Sequence, residues 1–213
     1  MSNITDYELK WLESCDLLAK KFSTCSKRQY FSVVIAPNKR LLSQGYNGSP
    51  PGYAHCNEGF CPRAEQNSPN GSNYDNCIAN HAEANALLWC DPYARNGATL
   101  IVNGPPCFSC AKLIASSGIS RVIGYADPNY AQQDHVVAFL QSCNVTCVLL
   151  DRKEQLTSQN LYMKRYLDNK SHATTRVGID TKGAPPVVMK YDTTSESYYY
   201  RYLLPNEKLW EDR

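Results

Sequence analysis

Four side chains near the middle of the chain are of types and at spacings that could serve one reacting centre. His81-Ala82-Glu83 comes first, and Pro106-Cys107-Phe108-Ser109-Cys110 follows, with Cys107 26 positions after His81. One imidazole and two thiolates suit zinc, and three protein donors leave a fourth position for water, as in a catalytic zinc site. The cysteines flank the start of a helix after Pro106, where the helix dipole favours thiolate over thiol. Zinc lowers the pKa of a bound water to about 7. Glu83, two residues past His81, would sit beside the metal without ligating it and move a proton from that water to a substrate.

Each half has an ordinary explanation by itself. Asn80-x-x-Glu83 is also a helix-capping pattern, and a lone C-x-x-C also serves structural zinc sites and redox pairs. The joint pattern, H-x-E followed by P-C-x-x-C, is the signature of zinc nucleobase deaminases, whose glutamate carries protons to the ring and the departing amine. Hydrolytic deamination is the reaction class it specifies.

The elements that must position these residues follow from periodicity. Thr5-x-x-Glu8 is a capping box, and Trp11, Leu12, Cys15, Leu18, Ala19 and Phe22 recur at helical spacing, predicting a helix over 6–22. Residues 30–35 and 41–44 read as a hairpin around the turn 37–40. Residues 46–78 read as one long loop, of a length that is usually functional or tied down. Helices are expected over 81–90, 107–117 and 131–142, and strands over 98–103, 121–125 and 145–150. That alternation predicts an α/β layered fold with a mixed central sheet of about five strands. Residues 1–151 read as one domain. Residues 152–213 read as a C-terminal extension, helical over 154–168, loop-like over 172–186, with strands at 187–191 and 198–204 that could pair or extend the main sheet.

Bulk properties exclude several classes. The chain has 213 residues, 43% hydrophobic and 20% charged, with a formal charge of +2. No Lys/Arg stripe of the kind that tracks phosphates is present, so nucleic acid is not an expected partner. No signal segment or membrane-length apolar run is seen, which predicts a cytoplasmic protein. In a reducing compartment the ten cysteines read as metal ligands or core residues and not as disulfides.

Further motifs narrow the reading. Gly45-Tyr46-Asn47-Gly48-Ser49-Pro50 closes the hairpin, His55-Cys56 and Cys61 follow, and His-Ala-Glu-x-Asn-Ala and Pro-Cys-x-x-Cys-Ala-Lys-Leu-Ile complete the set. Over residues 5–150 the chain resembles the deoxycytidylate (dCMP) deaminase family. The resemblance implies a three-layer α/β/α cytidine-deaminase-like fold and conversion of dCMP to dUMP and ammonia, a step that supplies thymidylate synthesis. It implies zinc on His81, Cys107 and Cys110, with Glu83 as the proton carrier. By analogy Asn47 would bind the substrate's sugar or base edge, and the Ala82 backbone would contact the base. Tyr125 or Tyr130 would close over the ring or phosphate, with core packing the stronger reading of Tyr125. Lys27 and Arg28 are candidates for the 5′-phosphate. Homo-oligomers, hexamers among them, and control by dCTP and dTTP, with Mg2+ accompanying the nucleotide effector, are also implied. Two departures stand out. Phe31-Ser32-Val33-Val34 replaces the family's Val-Gly-Ala-Val, and Asn103-Gly104-Pro105-Pro106 replaces a Thr-rich lead-in to the cysteine pair.

Cys25, Cys56, Cys61 and Cys77 remain around the long segment. Four thiolates would make a closed structural zinc site that orders it, with His55 able to replace one; the alternative is a set of buried free thiols. Cys15, Cys90, Cys143 and Cys147 fall on apolar faces, and His135 and His172 lack partners at ligand spacing. Other cytosine deoxynucleotides, dCTP or 5-modified dCMP, are the competing substrates. A non-catalytic nucleotide-binding module on the same fold is the competing class, and Glu83 argues against it. A polynucleotide editor has only the tyrosine run Tyr198-Tyr199-Tyr200-Arg201-Tyr202 in its favour, and such alternation more often lines a strand.

Overall fold

Thr5 opens the first helix as its spacing predicts. Its Oγ1 accepts from the Glu8 N–H at 3.2 Å, and Glu8 Oε2 accepts from the Thr5 N–H at 2.8 Å. The helix that follows, α1 (Asp6–Phe22), buries Leu12, Cys15 and Ala19 along one stripe. The structure, a computed structural model, describes residues 4–68 and 76–152 and the backbone of 187–192 and 197–202.

Five strands form one sheet: β1 (Phe31–Ile35), β2 (Leu41–Tyr46), β3 (Thr99–Val102), β4 (Arg121–Tyr125) and β5 (Thr146–Leu150). Their order is β2-β1-β3-β4-β5. β1 is antiparallel to both β2 and β3, whereas β3, β4 and β5 are mutually parallel. The sheet is therefore mixed. A short helix, α2 (Pro62–Glu65), lies in the long segment, and α3 (Ala82–Leu88), α4 (Phe108–Ala115) and α5 (Gln133–Ser142) complete the domain.

Strand alternation sends side chains to two cores. Phe31, Val33, Ile35, Ile101 and Ile123 pack with Leu12, Cys15 and Ala19 of α1. Val34, Leu100, Val102 and Val122 pack on the other face with Ala86 and Leu87 of α3, Ala111 and Ile114 of α4, and Leu140 of α5. β1 is buried at every position because both faces are covered. Each Leu, Ile or Val so enclosed contributes about 1.5–3 kcal/mol. The result is the layered α/β sheet that the alternation of elements predicts, in the three-layer α/β/α form that the resemblance implies.

The long segment is more ordered than a plain loop. β2 runs on to Tyr46, residues Cys56–Glu58 form one 3-10 turn, and Pro62 starts α2 with Cys61 as its N-cap. A proline at the first helical position has no N–H to leave unpaired. Gly48 and Asn80 form a β-bridge that draws the segment's ends together. Gly45 permits the closest approach, since a Cβ there would lie 2.3 Å from Ala86 N and 2.4 Å from Ala82 O. The second helix of the sequence reading starts at Ala82 with His81 as N-cap, so Glu83 does not serve as a cap for Asn80.

By internal contacts the chain divides into two units, Met1–Arg152 and Lys153–Arg213. In the second, β6 (Val187–Asp192) pairs antiparallel with β7 (Ser197–Tyr202), in a sheet separate from the first. The helix expected over 154–168 and the loop over 172–186 lie outside the described residues, as does His172. No helix among the described residues is long and apolar enough to cross a membrane.

Candidate active site

Two short helices carry the four residues singled out by spacing. His81 is the N-cap of α3 and Glu83 sits in its first turn, while Cys107 is the N-cap of α4 and Cys110 lies one turn on. The two N-termini converge at the carboxyl end of β3, where open α/β sheets place their ligand sites. His81 Nδ1 lies 3.3 Å from Cys107 Sγ and 3.5 Å from Cys110 Sγ. All three donor atoms fall within 4.8 Å of one another. The Cys110 N–H donates to Cys107 Sγ at 3.4 Å, so the backbone itself steadies the first thiolate.

The electrostatics match a site built to hold a cation. Hydrogen bonding from Cys110, then from His81, brings Cys107 down to about 4 despite its burial. Burial works against charge on His81, but hydrogen bonds with Cys107 and Cys77 outweigh it and raise the imidazole to about 11. Cys110 is pushed up by its hydrogen bond with Cys107 and by burial. Glu83 is 1% exposed, and burial raises its carboxyl to about 7. Glu83 Oε2 has no hydrogen-bond partner among the described residues. One imidazole and two thiols around a point, with an unpartnered carboxylate oxygen buried beside them, fit a three-donor zinc site with an exchangeable fourth position.

These residues open into a cavity of about 210 Å³. His81, Glu83, Cys107 and Pro105 line one side of it. Lys27, Arg28, Tyr30 and Asn47 line another, and Asp127, Asn129 and Tyr130 a third. Four of the five substrate-binding candidates are thus gathered there, and each has a particular setting. Asn47 Oδ1 accepts from the Ala82 N–H at 2.7 Å, and its Nδ2 donates to Arg28 O at 2.9 Å. Asn47 therefore locks the loop to the start of α3, with one lone pair and one N–H left for a ligand. Arg28 pairs with Asp127 at 2.9 Å, and Lys27 Nζ donates to Ser68 O at 2.5 Å. Ala82 is the exception: it is fully buried, its N–H is taken by Asn47, and it does not line the cavity. Tyr125 is core, packed on the α1 side of the sheet.

The remaining cysteines divide. Cys25, Cys56 and Cys61 are buried. Burial first, then the hydrogen bond with Cys61 and the nearby thiols of Cys25 and Cys77, push Cys56 up to about 12. Cys77 instead leans on the catalytic group: its hydrogen bond with His81, helped by Arg63, brings it down to about 7. Among the described residues no second set of three donors comes within 4.8 Å. The four sulfurs are neighbours but do not form a closed cage. His55 Nδ1 lies 3.3 Å from Thr24 Oγ1. His135 stacks on Phe108 at 4.9 Å.

Sequence reasoning missed Arg63, 6% exposed and lining the cavity from α2, and Asp127, the partner of Arg28. Arg63 stood in a stretch read as loop. Asp127 lies two residues past the end of β4, and a carboxylate just beyond the carboxyl end of a parallel strand was the available signal.

Residues 6–126 match the cytidine and deoxycytidylate deaminase zinc-binding region. A deoxycytidylate deaminase of Mycobacterium phage D29 is 44% identical over 110 residues, covering 49% of this chain and 84% of that protein. The deoxycytidylate deaminase of Schizosaccharomyces pombe is 37% identical over 136 residues, 63% of this chain but only 41% of the yeast protein. Against that relative, then, the chain spans under half of the partner's length. Among solved structures, the dCMP deaminase of cyanophage S-TIM5 in complex with dCMP and dUMP superposes with a TM-score of 0.55 at 22% identity, over 70% of this chain and 100% of that one. The shared fold, the matched region and the donor set at its centre agree: this chain belongs to the family of zinc-binding cytidine and deoxycytidylate deaminases.

Proposed function

We propose that the chain deaminates dCMP hydrolytically, giving dUMP and ammonia. One observation carries the reading: His81, Cys107 and the buried Glu83 line a single cavity with the cations Lys27 and Arg28, and Cys110 completes the donor set within 4.8 Å of the other two. When bound on those three donors, zinc supplies an acidified water at neutral pH. Glu83 takes a proton from the attacking water and delivers it to the ring nitrogen, and then carries the remaining proton, from the new C4 hydroxyl, to the 4-amino group. The new C4–O bond forms, the C4–N bond breaks, and ammonia leaves. Burial suits Glu83 to this, because a carboxyl raised toward neutrality both accepts and releases a proton near working pH. Asn47 orients the sugar or base edge, Tyr130 borders the ring, and Lys27 and Arg28 face the 5′-phosphate. Deoxynucleotide naming among the relatives supports the substrate class.

The test is a panel of deoxycytidine, dCMP, dCTP and 5-methyl-dCMP, followed by ammonia release. Turnover of dCMP far above deoxycytidine supports the reading. Preference for dCTP or the 5-modified nucleotide moves it to those substrates, and tight binding without turnover replaces it with a binding module.

The finer parts of the proposal are a structural zinc on Cys25, Cys56, Cys61 and Cys77, with His55 as substitute, and control by dCTP and dTTP with Mg2+. A homo-oligomer, a cytoplasmic location and a C-terminal extension over residues 152–213 complete it. The mutual proximity of the four thiols supports the second zinc, since a cation there would offset their repulsion and draw the sulfurs in. Metal analysis reading two zinc ions per chain, against one, decides that point.

A further inference from the structure

Lys27, Arg28 and Tyr30 form part of the cavity wall. The same three residues also line a second, more open depression. Asp16, Asn103 and Arg152 line that depression as well, and they form one hydrogen-bonded network.

Asn103 is its centre. It lies at the carboxyl end of β3, 6% exposed, where the chain turns toward Pro105 and Cys107. Its Oδ1 accepts from the Phe31 N–H at 2.8 Å, and its Nδ2 donates to Gln29 O at 3.1 Å and to Asp16 Oδ1 at 3.2 Å. Asp16, from α1, accepts from both Nη atoms of Arg152. Arg152 Nη2 also donates to Asn103 O at 2.7 Å, and its guanidinium lies 3.9 Å over the Tyr125 ring. The residue ahead of the prolines, Gly104, backs directly on Tyr30: a Cβ there would come within 2.5 Å of the ring. Both polar atoms of the Asn103 side chain and its backbone oxygen are thereby committed. A buried, fully bonded amide of this kind fixes one backbone arrangement, because losing a partner leaves desolvated groups unpaired.

We infer that Asn103, held by Asp16 and Arg152, is a positioning residue for nucleotide binding: it sets the Lys27–Tyr30 wall against the zinc-donor side of the cavity. The inference rests on the proposed dCMP activity for its kinetic test but not for its structural one. Asn103 bonds to the wall's backbone at Gln29 and Phe31, while Cys107 and Cys110 are steadied separately by α4. Its loss therefore acts on the wall and spares the donors.

In the full chain, Asn103→Ala is expected to raise KM for dCMP about tenfold, the scale of one or two lost hydrogen bonds to an ordered segment. kcat stays within about twofold, and the cobalt(II) binding isotherm is unchanged. Arg152→Ala gives a smaller KM rise, and the double variant is no worse than Asn103→Ala, as expected for members of one network. Hydrogen exchange provides a readout that needs no turnover: amides of residues 28–31 lose protection in Asn103→Ala while those of 108–115 do not. A lowered Tm with unchanged KM and unchanged exchange at 28–31 overturns the inference. Weakened cobalt binding also overturns it, because Asn103 would then act through Cys107. If no nucleotide is turned over by the wild-type chain, the proposed function falls, and the exchange pattern alone decides the positioning role.

Discussion

The two sides of the cavity are built differently. His81, Glu83, Cys107 and Cys110 stand on α3 and α4, whose Ala86, Leu87, Ala111 and Ile114 are sunk in the apolar core. Lys27, Arg28, Tyr30 and Asn47 stand on irregular backbone held by polar bonds to Ser68, Asp127, Asn103 and Ala82. The reactive side is fixed by packing, which is dense and indifferent to what is bound. The binding side is fixed by directional contacts that a ligand can exchange for its own. Changes on the first side should therefore appear in metal binding and kcat, and changes on the second in KM.

The strongest attack on that contrast removes a donor. Cys110→Ala is expected to abolish stoichiometric cobalt(II) binding and bring turnover to background, while the circular dichroism of the fold persists. Retained turnover without bound metal would break the comparison outright. Next is Glu83→Gln, which preserves shape and loses the titrating oxygen. It should lower kcat by about 10²–10⁴-fold, with KM and the cobalt isotherm unchanged. A fall confined to KM would place Glu83 on the binding side.

Gly45→Ala tests how tightly the reactive side is packed. The new methyl meets the backbone of α3 at Ala82 and Ala86, and backbone cannot swing aside as a side chain does. The expected cost is about 3 kcal/mol of unfolding free energy, at the upper end of overpacking, read from urea titration. Arg28→Ala tests the other side. Arg28 already spends one N–H on Asp127, so its contribution to a phosphate is that of the remaining donors. KM for dCMP should rise about tenfold and KM for deoxycytidine should not move. Equal effects on both substrates would remove the phosphate from Arg28.

How much of this could be read from the sequence follows the same division. The three donors and the buried Glu83 beside them were legible because zinc chemistry restricts residue type and helices restrict spacing. The order of helices and strands over 6–150 was legible because two buried faces impose the periods 2 and 3.6 on the hydrophobic pattern. The binding side was only half legible. Lys27 and Arg28 could be placed near the cavity through a resemblance, but the Arg28–Asp127 pair joins residues 99 positions apart, and no local pattern encodes it. Arg63 was hidden for the same reason: α2 has four residues, too few to show a period. The bond from the Ala82 N–H to Asn47 joins residues 35 positions apart and is likewise outside any local pattern.

Ser32 offers the smallest and most local test. It occupies the β1 position where the family's pattern has glycine. Ser32 is fully buried and does not line the cavity. It pairs with Gly45 across to β2 and with Val102 across to β3, so its side chain stands on the face covered by α3. Its Oγ has no hydrogen-bond partner among the described residues. A buried hydroxyl without a partner forfeits its hydration and gains nothing in return. Ser32→Ala keeps the Cβ, removes the hydroxyl and should stabilise the fold by about 1 kcal/mol, raising the urea midpoint while KM and kcat for dCMP hold. A shift in KM would instead mean that β1 transmits its packing to the wall at Arg28 and Tyr30, and the separation between the two sides of the cavity would be less complete than their construction implies.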